Sequence, residues 1–162
     1  MVLVTISSIA QDLPKNYASL LKDVEPELIA WRRHFHEFPE LSNREVNTGK
    51  YIADFLKTLP NLEVRYPVAK TGVVAVLKGG KPGAVIALRA DIDALPVYER
   101  VAIPFASKVT TEFNGQKVSV MHACGHDSHT AMLMATAKVL SSLQKDLPGT
   151  VVFLFQPAEE GS

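Results

Sequence analysis

Apolar residues recur at intervals of three and four from Tyr17 to Phe38, where Leu20, Leu21, Val24, Leu28, Trp31 and Phe35 share one side of a helix. The pattern predicts an amphipathic helix that Pro39 ends, because proline disfavours helical geometry in the residue before it. Ser42 or Asn43 can cap a second helix whose buried face carries Val46, Tyr51, Ile52, Phe55, Leu56 and Leu59, with Pro60 and Asn61 as the stop. Short runs rich in Val, Leu and Ile follow at 62–66, 72–77 and 84–88, each bounded by turn residues, and fit buried strands. Gly79-Gly80-Lys81-Pro82-Gly83 links two of them and reads as a hairpin turn. It lacks the Gly-Lys-Ser/Thr ending of a phosphate loop and opens onto a strand instead of a helix.

A second hairpin is signalled by Asn114-Gly115 between 109–113 and 117–120, since Asn-Gly tolerates the positive φ angles of a two-residue turn. From Thr130 to Leu143, the residues Met132, Leu133, Ala135, Thr136, Val139, Leu140 and Leu143 form another helical face, closed by Pro148-Gly149. Residues 150–155 then read as a central strand. Strands that alternate with helices late in the chain predict an α/β sandwich.

The 162 residues are enough for one core that buries about 70% of the unfolded surface. Seventeen basic residues balance 17 acidic ones, so nothing in the charge points to nucleic acid. The apolar run at 1–10 has no Lys or Arg ahead of it and is far shorter than the roughly 20 residues of a membrane span. It is expected to be a leader strand or frayed end. One cysteine, Cys124, cannot form an internal disulfide, and a reduced thiol fits the cytoplasm.

Three of the five histidines, the cysteine and an aspartate fall within Met121-His122-Ala123-Cys124-Gly125-His126-Asp127-Ser128-His129. In an extended or turning backbone, residues two apart can point to one side, so Cys124 and His126 can reach one metal ion. The plain alternatives are a buried inert Cys124 with His126 bonded in a loop, or a closed structural zinc site. The latter needs four ligands, and no partner pair with that spacing occurs. Glu159 and Glu160 follow the strand at 150–155, at the end of a sheet where open α/β folds assemble their sites. Adjacent carboxylates repel unless something separates their roles. Either one binds a metal while the other takes a proton from water, or both sit in a solvated acidic turn. Asp91 and Asp93 close the strand at 84–88 on one side and can support a ligand or the water, although Asp after a strand is also common turn chemistry. His34 and His36 on the first helix are expected to serve packing or capping.

The segments Arg-Ala-Asp-Ile-Asp-Ala-Leu-Pro (89–96), Met-His-Ala-Cys-Gly-His-Asp-Ser-His-Thr (121–130) and Phe-Gln-Pro-Ala-Glu-Glu-Gly (155–161), in this order, resemble the di-metal amidohydrolases. These include hippurate hydrolases, N-acyl-amino-acid amidohydrolases and plant auxin-conjugate hydrolases, a branch of metallopeptidase family twenty. Trp31-Arg-Arg-His-Phe-His-Glu-Phe-Pro-Glu-Leu41 also matches the family opening, so the similarity covers nearly the whole chain. The resemblance implies an α/β three-layer sandwich with a mixed central sheet and flanking helices, as in a zinc-peptidase-like catalytic domain. It implies that Cys124, His126 and Glu160 are metal ligands, that Glu159 is the general base, and that Asp93 and Asp127 support them. The implied reaction is hydrolysis of an amide joining an acyl group to an amino acid. Two divalent ions (zinc, manganese, nickel or cobalt) would activate the water, and full-length relatives would be homodimers.

Family members continue well past this length, with two further histidine ligands and an inserted dimerisation domain that have no positions here. The chain is therefore expected to be the amino-terminal portion of the catalytic domain, residues 1–162, with weak metal affinity and no activity alone. Residues 150–155 are expected to leave an uncovered hydrophobic edge. Two other readings are a catalytically silent binding or oligomerisation module, and a thiol hydrolase with Cys124 as nucleophile and His126 or His129 as base. Against the thiol enzyme, the sequence shows no helix N-terminus or cationic setting to activate Cys124.

Overall fold

The computed structural model describes residues 17–161, so the apolar run at 1–10 lies outside the described residues. Helices α1 (Tyr17–Glu37), α2 (Val46–Thr58) and α3 (His126–Ser142) accompany strands β1 (Leu62–Val68), β2 (Gly72–Lys78), β3 (Lys81–Asp91), β4 (Thr110–Phe113), β5 (Gln116–Ser119) and β6 (Pro148–Gln156). Four strands form one mixed sheet in the order β1-β2-β6-β3, and β4 and β5 form a separate hairpin. Asn114 and Gly115 turn that hairpin with φ of 51° and 74°, the positive values its sequence anticipates.

The Gly79–Gly83 segment does not make a hairpin. Strand β6 enters between β2 and β3, antiparallel to the first and parallel to the second, so the segment carries the chain across the end of β6. The Gly79 amide donates to the Gly149 carbonyl at 2.8 Å, and a Cβ on Gly79 would lie 2.3 Å from the Leu147 carbonyl. The glycine thus serves a close backbone crossing. Two apolar runs around a Gly-rich turn satisfy the hairpin pattern equally well, and only the competition for the central place in the sheet decides between them.

Alternation along β2 and β6 turns Val73, Ala75, Leu77, Val151, Phe153 and Phe155 to one face. There they join Trp31, Phe35, Ile52, Leu56 and Met134 in a single core beneath the helices. Full burial of a side chain such as Phe153 contributes about 1.5–3 kcal/mol. Helix α2 lies on β1 and β2, α3 on β3 and β6, and α1 on α3. The other face presents half-buried Val74, Val76, Val152 and Leu154. Of the three layers expected, the described residues build the sheet and one helical layer.

The helical faces differ in detail from expectation. Leu21, Val46 and Tyr51 are exposed, and Tyr51 stacks on His34 with ring centroids 4.3 Å apart, which gives His34 a packing role. Neither Ser42 nor Asn43 caps α2. Glu40 does so from outside, accepting from the Thr48 amide (2.8 Å) and hydroxyl (2.9 Å) and from Asn47 Nδ2 (2.7 Å). Helix α3 begins four residues before the expected Thr130, directly after Gly125, whose φ is 88°.

The open hydrophobic edge is β3. Strand β6 has a neighbour on both sides, whereas Val85 and Ile86 on β3 are 70% and 53% exposed. At the opposite edge, β1 turns Glu63, Arg65 and Pro67 outward, which blunts pairing with other chains. Replacing both Val85 and Ile86 with Lys is expected to lower self-association in sedimentation velocity while leaving the circular dichroism spectrum unchanged. Equal association of the variant and the parent would show that β3 is not the adhesive edge.

Candidate metal centre

Because β3 and β6 run parallel, their carboxyl ends emerge side by side, with Asp91 opposite Gln156 and the Ile92 amide donating to the Gln156 carbonyl at 3.0 Å. Helix α3 returns over this pair and places its first turn at the same end of the sheet. Three stretches distant in sequence therefore converge. One ligand atom each from Cys124, His126 and Glu160 lies within 4.8 Å of the others, and the same holds for Asp91, His126 and His129. His126 Nε2 is 3.9 Å from a Glu159 oxygen and 3.9 Å from a Glu160 oxygen.

Asp93 organises this convergence. Its side chain is fully buried, and one carboxylate oxygen accepts from the Ser42 hydroxyl at 2.6 Å and from the Glu160 amide at 2.9 Å. Burial alone would raise its pKa, but these donors prevail and hold the carboxyl below its ordinary range. The Asp93 carbonyl faces His126 Nδ1 at 2.9 Å. A carbonyl only accepts, so Nδ1 carries the proton and Nε2 presents its lone pair toward the carboxylates. The other Asp93 oxygen is buried without a hydrogen bond, 3.4 Å from Nδ1.

A second buried acid, Glu45, grips the Glu159-Glu160 loop from below. It accepts from the Ala158 amide at 2.8 Å and from the Thr71 hydroxyl at 2.7 Å, and Ala158 itself has a φ of 56°. Sequence reasoning missed Glu45, since an acid just before a helix reads as a solvated first-turn charge. It also missed what His36 does. The buried His36 ring faces Asp127 and Glu99, each at 2.8 Å from a different nitrogen, and Arg32 Nε lies 3.0 Å from the same Asp127 oxygen. The arrangement ties α1 to the first turn of α3 and to the Leu95–Val109 segment, so His36 does more than pack. Burial would raise the Glu99 carboxyl, but the Val101 amide and His36 outweigh it and lower it. Both Asp127 oxygens are engaged, by His36 and Arg32 on one side and the Ser128 amide on the other, so Asp127 acts on the site through its own helical turn. His122 shares the segment but joins neither ligand group. Its ring is buried with both nitrogens unpartnered, and burial pushes its pKa down to about 4.

Cys124 lies two residues before α3, so a helix N-terminus is near the thiol, contrary to the sequence reading. The hydrogen bond to Glu160 nevertheless raises its pKa, and the charges of Glu160, Glu159 and Asp91 add to the effect. That setting opposes a free thiolate nucleophile. A divalent cation among the same groups reverses the balance, because it favours thiolate and carboxylate together. Thiolate, imidazole and carboxylate, with the imidazole tautomer fixed, suit a zinc-like ion.

The mixed α/β sheet gathers Cys124, His126 and Glu160 at one end, and known proteins resemble the chain. Residues 87–162 match the model of Peptidase family M20/M25/M40. The chain is 48% identical to an N-acyl-L-amino acid amidohydrolase of Geobacillus stearothermophilus over 87% of its own length and 36% of the relative's. It is 42% identical to IAA-amino acid hydrolase ILR1-like 2 of Arabidopsis thaliana, covering 99% of this chain and 36% of that one. Among solved structures, the Bacillus subtilis YxeP protein, described as a dinuclear metal-binding peptidase from the M20 family, superposes with a TM-score of 0.76. That match is 49% identical and covers 86% of this chain and 36% of the other. Over residues 87–162 the chain is similar to Peptidase family M20/M25/M40, and it spans about a third of the length of the curated relatives it matches. No helix among the described residues is long and apolar enough to cross a membrane.

Replacing His36 with Ala leaves Asp127 and Glu99 facing each other in a buried setting, and the loss expected in urea unfolding is about 3–5 kcal/mol. A loss under about 1 kcal/mol would show that the pairing contributes little. In metal-free protein, Glu160→Gln is expected to speed iodoacetamide alkylation of Cys124 at neutral pH, since it removes the charge that disfavours thiolate. An unchanged or slower rate would contradict the assigned cause.

Proposed function

We propose that this chain is the amino-terminal portion of the catalytic domain of a metal-dependent amidohydrolase that cleaves the amide of N-acyl amino acids or related small conjugates. The observation that carries the reading is the meeting of Cys124, His126 and Glu160 within 4.8 Å of one another, with Glu159 beside them. Cys124, His126 and Glu160 would hold a divalent cation, Asp93 would keep His126 Nε2 aimed at it, and Glu159 would remain free to move a proton. Bound ions of this kind polarise a carbonyl and lower the pKa of water, and two of them, zinc, manganese, nickel or cobalt, fit the family resemblance.

The roles of the protein groups follow from their placement. Glu159 is the more exposed of the two acids and can take a proton from the attacking water and pass it to the departing amine. Glu45 and Asp93 hold the loop backbone through the Ala158 and Glu160 amides, so both acids keep their positions as charge moves. Three protein ligands are fewer than two ions require, and the remaining ligands, an inserted dimerisation domain and the substrate contacts would belong to the rest of a longer, homodimeric polypeptide. On this reading the described portion alone binds metal weakly and does not turn over substrate. A thiolate ligand with no disulfide partner is compatible with a reducing compartment such as the cytoplasm.

Hydrolysis of N-acyl amino acids by the longer enzyme tests the reading. Glu159→Gln is expected to lower kcat by about 10²–10⁴-fold with metal content retained. Chelation is expected to abolish activity, and added divalent metal to restore it. Full activity in chelated, metal-free enzyme that alkylation of Cys124 then destroys would establish the thiol hydrolase instead.

A further inference from the structure

The 96–108 segment runs outside the sheet between two anchors. The Leu95 and Met121 amides donate to each other's carbonyls at 3.1 and 3.0 Å, and the Val120 amide donates to the Val109 carbonyl at 3.0 Å. A stretch whose ends are tied to adjacent residues has the form of an Ω-loop. Within it only Glu99 is buried, while Val97, Tyr98 and Val101 are exposed and Phe105 is half-buried. Apolar burial thus does little to hold this strap in place. Its one buried side chain is an acid, and Glu99 Oε2 meets His36 Nε2 at 2.8 Å.

The other ring nitrogen, Nδ1, lies 2.8 Å from Asp127 Oδ2. A neutral imidazole has a single N–H, so it can serve only one of two carboxylates. Asp127 is paired with Arg32 Nε at 3.0 Å and accepts from the Ser128 amide at 2.9 Å, so it is ionised. Burial opposes charge on Glu99, but the Val101 amide and His36 outweigh it. Two ionised acceptors at bonding distance require a proton on each nitrogen, and His36 is therefore an imidazolium. Arg32 and His36 balance Asp127 and Glu99, which leaves the buried group neutral as a whole. The other groups around the ring are His122, which burial keeps neutral, and Phe105, edge-on to His36 at 5.8 Å with Arg32 and Arg33 each 5.2 Å from its centroid.

We propose that His36 is a pH-sensitive clasp that fastens the 96–108 strap to the first turn of α3 and releases it as pH rises. Loss of either ring proton leaves a lone pair facing a carboxylate oxygen in a buried setting, and the two must separate to regain water. The bonded form is the protonated one, so the clasp holds on the low-pH side of the ring's titration and is lost above it. At Met121 the strap's anchor leads toward Cys124, through the Ala123 amide that donates to the Met121 carbonyl at 3.0 Å. Release therefore slackens one arm of the ligand group. That last link alone rests on the metal-site reading of Cys124, His126 and Glu160.

Hydrogen exchange of the metal-free 162-residue chain tests the clasp, expressed as protection factors so that the intrinsic pH dependence of exchange cancels. From about pH 6 to about pH 9, protection of the Val101, Ile103 and Met121 amides is expected to fall by about 10-fold or more while that of β6 stays constant. Glu99→Gln is expected to remove the pH dependence and keep the strap protected, because a carboxamide donates to a bare ring nitrogen as readily as it accepts from a protonated one. His36→Gln retains a donor without the charge, and is expected to leave the strap unprotected throughout with β6 still protected. Protection that does not change with pH in the parent, a fall shared by β6, or the parent's fall persisting in Glu99→Gln would overturn the clasp. A fall at Val101 and Ile103 that spares Met121 would overturn its link to the ligand group. With no metal or substrate present, none of these outcomes depends on the proposed activity.

Discussion

One buried carboxylate holds the site together. Asp93 accepts from Ser42 after α1 and from the Glu160 amide after β6, and its backbone carbonyl accepts from His126 Nδ1–H at the start of α3. Each bond joins a different stretch of chain to the end of β3, and the two from Ser42 and Glu160 would be lost if the carboxylate were displaced. A buried charge is tolerated only when several donors surround it, and those donors are the elements that the chemistry requires in register. The same residue thus fixes the imidazole tautomer and the acid loop, which are the two geometric conditions for holding a cation.

That clasp works because the sheet presents it correctly. The parallel pairing of β3 with β6 brings Asp91 to Gln156, and the return of α3 brings a helix start to the same corner. Glu45 and His36 extend the support outward, the first to the acid loop and the second to α1 and the Leu95–Val109 segment. Residues of the Trp31–Leu41 stretch and its continuation therefore serve the distant site through buried ion pairs and a helix cap, although none of them lies among the ligand groups. The β3 edge is open and the face opposite the helices is half-buried. The ligand groups are built on secondary structure that packs a core of its own, while the surfaces around them are only partly covered.

Much of this is legible in the residues. Period and turn chemistry locate the three helices and six strands within a few positions, and the cysteine, histidine and paired acids that the sequence singles out as candidates come together in the structure. The differences have common physical causes. The hairpin expected at Gly79–Gly83 fails because local turn signals do not reveal that β6 takes the centre of the sheet. Ser42 suits a helix cap by residue type, but tertiary contact with the buried Asp93 claims its hydroxyl and leaves Glu40 to cap α2. Glu45 and His36 are not legible because burial decides their roles, and the period of a charged residue does not report burial.

X-ray absorption of the zinc-loaded chain tests the central claim most directly. The account predicts one sulfur scatterer at about 2.3 Å together with nitrogen and oxygen scatterers near roughly 2.0–2.2 Å, the sulfur being lost in Cys124→Ser. A zinc shell of nitrogen and oxygen alone in the parent chain would contradict it.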